Sequence, residues 1–217
     1  MTPDLFSDFD PSAIAAIRAG IERDKAVYGQ ARAVKAAHRH QLRRAKAEKT
    51  LAEILPARFQ PGDSWHVISH GDIDSLSYLR HALSGTTHFD HVILSTWCIA
   101  RADLEEIASW LDSGRIDHFE LYAGEIFPAQ YGDEYEQMQQ ICDTYGARLV
   151  IARNHSKVTL AANLAEGYHL VIESSANVNT NPRIEQSAVH CDADLYTFYA
   201  EFFHGLKSID RASSASH

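Results

Sequence analysis

The stretch from Arg153 to Val189 carries the residue types that can do chemistry, at spacings that bring them together. His155 and Lys157 stand two apart at the start of one apolar run. Ser175 and Asn177 stand two apart just after another, Leu170-Val171-Ile172, and Glu185 follows. In an extended strand, residues i and i+2 share a face. If the two strands are neighbours, one surface gathers an imidazole, an ammonium, a hydroxyl and a carboxamide. A nucleophile or base, a fixed positive charge and neutral donors are what a phosphate site requires.

The pattern resembles the signature of the phospholipase D superfamily, H-x-K-x4-D followed by G-S-x-N and a later glutamate. His155, Lys157, Ser175, Asn177 and Glu185 fall on its positions, whereas Ala162 stands where the signature has aspartate and Ser174 where it has glycine. The run Asn181 to Gln186, N-P-R-I-E-Q, is similar to phospholipase D-like proteins of phages and mobile elements.

The resemblance implies a mechanism. His155 is the nucleophile and forms a phosphohistidine, and His155 of the partner subunit is the general acid. Lys157 and Asn177 of both chains bind the non-bridging oxygens. Ser175 adds a donor, with Ser174 and Arg183 beside it in substrate binding, and Glu185 orients an imidazole. Members with one motif act as homodimers, and this chain has one copy. The lysines supply the positive charge, so neither metal nor cofactor is expected. Asn163, Asp143 or Glu173 is left to replace the missing aspartate; failing that, the site is slack.

A chain of 217 residues holds one sizeable core, or a core with a small appendage. Its formal charge of -9 argues against a protein that coats nucleic acid globally, but leaves room for a local basic patch. No apolar run approaches the ~20 residues of a membrane span. Cys98, Cys142 and Cys191 are odd in number, far apart and set in apolar runs. They read as reduced, buried thiols of an intracellular protein, so a cytoplasmic location is expected. A zinc reading of His66, His70, His81, His88 and His91 finds no consistent ligand spacing.

These residues need elements to position them. Residues 1–56 read as a helical N-terminal segment, rich in good helix formers and basic in its second half. Arg39, Arg43, Arg44 and Lys46 are its candidate nucleic-acid contacts, against the blander reading of a solvated helix face. Residues 57–210 alternate short strands with helices at 73–83, 101–112, 134–145 and 195–209. The expected fold is α/β: a mixed, mostly parallel sheet with helices on both faces, like one half of the phospholipase D fold. His70-Gly71-Asp72 follows a strand and is a candidate wall of the site. Residues 211–217 read as a frayed tail.

The expected activity is a metal-independent nuclease, because the basic segment favours nucleic acid over lipid. The alternative is a catalytically impaired relative that binds nucleic acid or a partner protein as a phage or mobile-element accessory.

Overall fold

The α/β part of the chain, from Gln41 onward, forms one compact unit. The computed structural model describes the backbone of residues 39–178 and 183–209, and their side chains from Arg44 onward. The helices expected before residue 39, the turn at Asn181-Pro182, the tail 211–217 and the side chains of Arg39 and Arg43 lie outside the described residues.

The element order is α1 (Arg39–Ile54), β1 (Ser64–Ser69), α2 (Ser75–Gly85), β2 (Phe89–Thr96), α3 (Arg101–Asp112), β3 (Ile116–Gly124), a single turn α4 (Phe127–Gln130), α5 (Gly132–Tyr145), β4 (Arg148–Ala152), β5 (Val158–Asn163), β6 (Tyr168–Ser174), β7 (Glu185–Cys191) and α6 (Ala193–His204). The strands form one sheet in the order β1-β7-β6-β5-β2-β3-β4.

The sheet is mixed, as expected, but the expected parallel majority is corrected. Only β2–β3 and β3–β4 are parallel; β1–β7, β7–β6, β6–β5 and β5–β2 are antiparallel. Helical crossovers build the parallel half. Beyond β4 the chain runs through tight returns, and β5–β6 is a hairpin whose turn closes through Gly167 N–H to Leu164 O at 3.2 Å.

Alternation along the strands gives the sheet two apolar faces. Val92, Leu94, Phe119, Leu121, Leu170 and Ile172 face one side with Leu51, Leu76, Leu79, Leu104, Ile107 and Met138 of the helices α1, α2, α3 and α5. Ile93, Tyr122, Val150, Leu160, Ala162 and Val171 face the other, under Tyr196, Ala200 and Phe203 of α6. Where a boundary at residue 56 is expected, the second half of the helical stretch instead belongs to the α/β unit, through Ala47, Leu51 and Leu55 of its core.

The chain after α6 turns back to the β4 edge. Ile209 N–H donates to Ile151 O at 2.8 Å, Ile151 N–H to Ser208 Oγ at 3.1 Å, and Arg148 Nη2 to Leu206 O at 3.0 Å.

Charges are buried beneath α1, α2 and α3. The Arg80 guanidinium, 4% exposed, reaches Asp74 at 3.3 Å, Asp103 at 3.3 Å and Glu106 at 2.8 Å. Arg44 pairs with Asp103 and, at 3.1 Å, with Glu106. Two guanidiniums thus face three carboxylates. Burial pushes the Asp103 carboxyl up to about 6; Asp74 adds to the rise, while Arg44 and Arg80 oppose it.

This placement bears on the basic run. Arg44 is engaged with Asp103 and Glu106, so it is not the free phosphate contact expected of it. Among the described side chains of this helix, Lys46, 69% exposed and 3.4 Å from Asp72, and Lys49, 80% exposed, are the cations it presents to solvent.

Two predictions follow from packing and charge. A Cβ at Gly85 would lie 1.7 Å from Ala57 O, whereas one at Gly132 meets nothing within 4 Å. Gly85→Ala should lower stability by about 3 kcal/mol or more, and Gly132→Ala, at the start of α5, should raise it by up to about 1 kcal/mol; urea denaturation reads both. Second, from pH about 4 to about 6 native Asp103 keeps a proton that the unfolded chain has lost. The stability it contributes is present below this window and is lost as pH rises through it. Relative to Asp103→Asn, the wild type should lose on the order of 2–3 kcal/mol across the window, and a flat difference between the two melting curves would count against it.

Candidate active site

The C-terminal ends of β1, β2, β3 and β6 and the N-terminal ends of β5 and β7 meet at one end of the sheet. This follows from the register: Ser69 lies opposite Glu185, Ser174 opposite Ser187, and Ser95 opposite Val158 and Tyr122. The sequence-predicted residues collect here.

The loop between β4 and β5 delivers His155 and Lys157. Its anchor is Asn154. The carboxamide Nδ2 donates to Ser95 Oγ at 2.9 Å, Tyr122 O at 2.8 Å and Thr96 O at 3.4 Å. Its Oδ1 accepts from Ser156 N–H at 3.0 Å and Ser156 Oγ at 2.7 Å. One side chain therefore ties the loop to the ends of two neighbouring strands and folds the loop over itself. The sequence reading missed this role; the signal is N-x-S, an Asx-turn spacing, just before the lysine.

With the loop fixed, His155 is exposed and its ring lies 5.7 Å from that of Trp97. Trp97 in turn lies against Gly124, where a Cβ would come within 2.4 Å of Trp97 Cδ1. Lys157 Nζ is 3.1 Å from His155 Nδ1, 3.4 Å from Nε2, and donates to His155 O at 2.8 Å. The i and i+2 side chains thus meet. Burial lowers the ammonium of Lys157 below the ordinary lysine value, while Glu185 and Cys98 act in the opposite direction.

The second half of the motif sits on the adjoining strands. Ser174 N–H donates to Lys157 O at 2.9 Å, which places the lysine and the end of β6 side by side. Ser174 Oγ pairs with Ser187 Oγ at 2.8 Å and accepts from Ala176 N–H at 3.0 Å, so its hydroxyl shapes the turn after β6. No described non-glycine residue has a positive φ, so serine in place of the signature glycine is unstrained. Ser175 Oγ donates to Glu185 and accepts from Gln186 N–H at 3.0 Å. Glu185 is thus held by Ser175, where an imidazole partner is expected.

Asn177 follows on the same turn. Its backbone O accepts from Ser75 N–H at 3.3 Å, and its Oδ1 is buried without a hydrogen-bond partner. Arg183 is exposed. His70 is exposed directly beyond Ser69, the residue opposite Glu185.

None of the three candidates stands in for the missing aspartate. Ala162 itself is fully buried in the core under α6. Asn163 closes the β5–β6 turn, with Oδ1 accepting from Glu166 N–H at 3.1 Å. Glu173 accepts from Tyr199 OH and lies 3.4 Å from His190. Asp143 is exposed on α5.

No protein-family model and no curated protein matches the sequence. Solved structures do match. One is a polyphosphate kinase from Porphyromonas gingivalis, with a TM-score of 0.51 at 12% identity over 69% of this chain and 27% of that one. The chain has a phospholipase D-type fold. Another match is a phosphatidylserine synthase from Haemophilus influenzae, with a TM-score of 0.46 at 11% identity over 65% of this chain and 37% of that one. The chain spans about a quarter of the length of the kinase, and at this identity the likeness concerns the fold. The phospholipase D-type fold agrees with the expectation drawn from the His155–Glu185 pattern.

Asn154 supplies the test of the site's construction. Asn154→Ala should destabilise the protein by about 1–3 kcal/mol, since it removes the side-chain donor to Tyr122 O and the acceptor for Ser156 N–H. Asn154→Asp should be at least as damaging, because a carboxylate would face two backbone carbonyls. A thermal melt in which Asn154→Asp matches wild type would rule out the clamp.

Proposed function

We propose that the protein is a phospholipase D-like phosphodiesterase, a metal-independent nuclease that works as a homodimer through a phosphohistidine. The observation that carries this reading is the joining, at one end of a phospholipase D-type sheet, of an exposed imidazole at 155 with the ammonium of Lys157 3.1 Å away. The hydroxyl of Ser175 and the carboxylate of Glu185 stand on the neighbouring strands.

In this reading His155 of one subunit attacks phosphorus. A nitrogen–phosphorus bond forms as the bond to the leaving oxygen breaks, and His155 of the partner subunit protonates that oxygen. The same group then takes a proton from water, whose oxygen displaces the first histidine and releases the phosphomonoester. Lys157 and the Asn177 carboxamide stabilise the charge that grows on the non-bridging oxygens. The exposed Lys46 and Lys49 offer the strand a basic approach, and both are screened by salt.

A second reading is favoured by Ala162. With no carboxylate at that position and none of the candidate replacements turned to the site, the fold serves as a binder of nucleic acid whose turnover is lost.

One experiment separates the two. Single- and double-stranded DNA and RNA are incubated with the full chain in excess chelator. The nuclease reading expects cleavage, lowered by about 10³-fold or more in His155→Ala and by about 10²–10³-fold in Lys157→Ala. Cleavage by His155→Ala at the wild-type rate overturns it. Salt-sensitive binding without cleavage, unchanged in His155→Ala, establishes the second reading.

A further inference from the structure

An indole stands beside His155 that the phosphodiester chemistry leaves without a task. Trp97 follows directly on Thr96, the last residue of β2. Its backbone O accepts from Gly124 N–H at 3.2 Å, which sets it at the end of β3. The lack of a side chain at Gly124 makes room for it: a Cβ there would lie 2.4 Å from Trp97 Cδ1 and 3.1 Å from Nε1. The five-membered ring therefore rests on bare backbone. The imidazole of His155 is its neighbour, with the ring centroids 5.7 Å apart and the planes tilted by 57°.

Core packing does not account for this placement. Large apolar side chains are held in an interior by contact with other apolar groups. Trp110 is held in this way, within the cluster that the helices make with the sheet. Trp97 belongs to neither apolar cluster, and it is only half-buried. Part of its ring meets solvent next to the exposed imidazole.

A phosphodiester bound at His155 carries its substituents past this ring. In a nucleic acid a base hangs one sugar away from each phosphate, and every base has a flat face that stacks on an indole. Bases in a duplex are stacked on their neighbours and paired, whereas those of a single strand can splay out onto aromatic side chains. A cationic headgroup also suits an indole face. Here, however, the ammonium of Lys157 already stands 3.1 Å from His155 Nδ1, and a second cation beside it would be repelled. The neutral base is the better occupant.

We infer that Trp97 is the stacking platform for a nucleobase next to the bound phosphate, and that it gives the site a preference for single-stranded nucleic acid. The inference rests on the phosphodiesterase reading for the place of the phosphate. Trp97 makes and breaks no bond; it holds the strand by its base.

The test measures binding, apart from turnover. The full chain carrying His155→Ala is titrated in chelator with a fluorescein-labelled thymidine strand and with an equally long strand that lacks bases, and anisotropy is read. The strand with bases should bind about 5- to 150-fold more tightly. Trp97→Leu, which keeps an apolar side chain without a π face, should abolish this ratio, and Trp97→Phe should restore most of it. Gly124→Ala, which displaces the indole from its seat, should lower it too. Attraction to phosphate is common to both strands, so a merely structural loss weakens both alike and leaves the ratio intact. A Trp97→Leu chain that keeps the ratio overturns the inference. So do equal affinity for the two strands before Trp97 is replaced, absence of binding to either, tighter binding of duplex than of single strand, and Trp97-dependent binding of phosphatidylcholine vesicles in place of strands. A Trp97-dependent ratio in a protein whose wild type cleaves nothing upholds the platform and overturns only the nuclease reading.

Discussion

A single carboxamide, that of Asn154, fixes the loop that carries His155. The ends of β2 and β3 leave a carbonyl each and a serine hydroxyl facing the loop that precedes β5, and the two N–H groups of Asn154 are shared among the three. Backbone groups at strand ends must find partners or water. Meeting that requirement with a side chain next to His155 makes the position of the imidazole a consequence of sheet closure. Trp97, seated on the bare backbone of Gly124, limits the ring from the other side. Once the loop is fixed, Lys157 leads directly into β5, and the rest of the site is a matter of strand order.

The two faces of the sheet carry different loads. The helices α1, α2 and α3 lie over a cluster in which Arg80 and Arg44 share Asp74, Asp103 and Glu106. Desolvating so many charges is costly, and such clusters are kept together by mutual pairing and added hydrogen bonds. Ser77 Oγ contributes one such bond to Arg80 at 3.1 Å, and the N-cap carboxylate of α2, Asp74, is itself a member of the cluster. The cap that starts α2, the helix beside the Asn177 turn, is thus electrostatically joined to α1 and α3. On the opposite face, among the described residues, α6 is the one helix, and its apolar stripe of Tyr196, Ala200 and Phe203 packs on the sheet.

Local pattern carried much of the fold. The span Arg101–Asp112 is a helix to the residue, because Leu104, Ile107 and Leu111 recur at helical spacing. The strand Arg148–Ala152 likewise matches its apolar run. Pairing was less readable. That β7 would insert between β1 and β6, and β5 beside β2, depends on contacts between residues far apart in the chain, for which no local periodicity exists. The same limit applies to the site. The meeting of His155 with Lys157 is a strand-period inference, and it could be read from two residues. The engagement of Arg44 by Asp103 could not, since 59 positions separate them and a basic helix reads alike whether its charges face water or a buried carboxylate.

The return of the C-terminal segment to β4 has a consequence for assembly. Ser208 and Ile209 take up the backbone N–H and C=O of Ile151, and Arg148 reaches Leu206 O, so the chain covers part of this rim itself. Among the described residues, the opposite rim, β1, has no strand on its outer side. Lateral growth of such a sheet is therefore least hindered at β1. Two copies joined β1 to β1 by a two-fold rotation would pair both of these uncovered rims at once. Further growth would then have to start at β4, where the returning chain already holds the outer groups of Ile151.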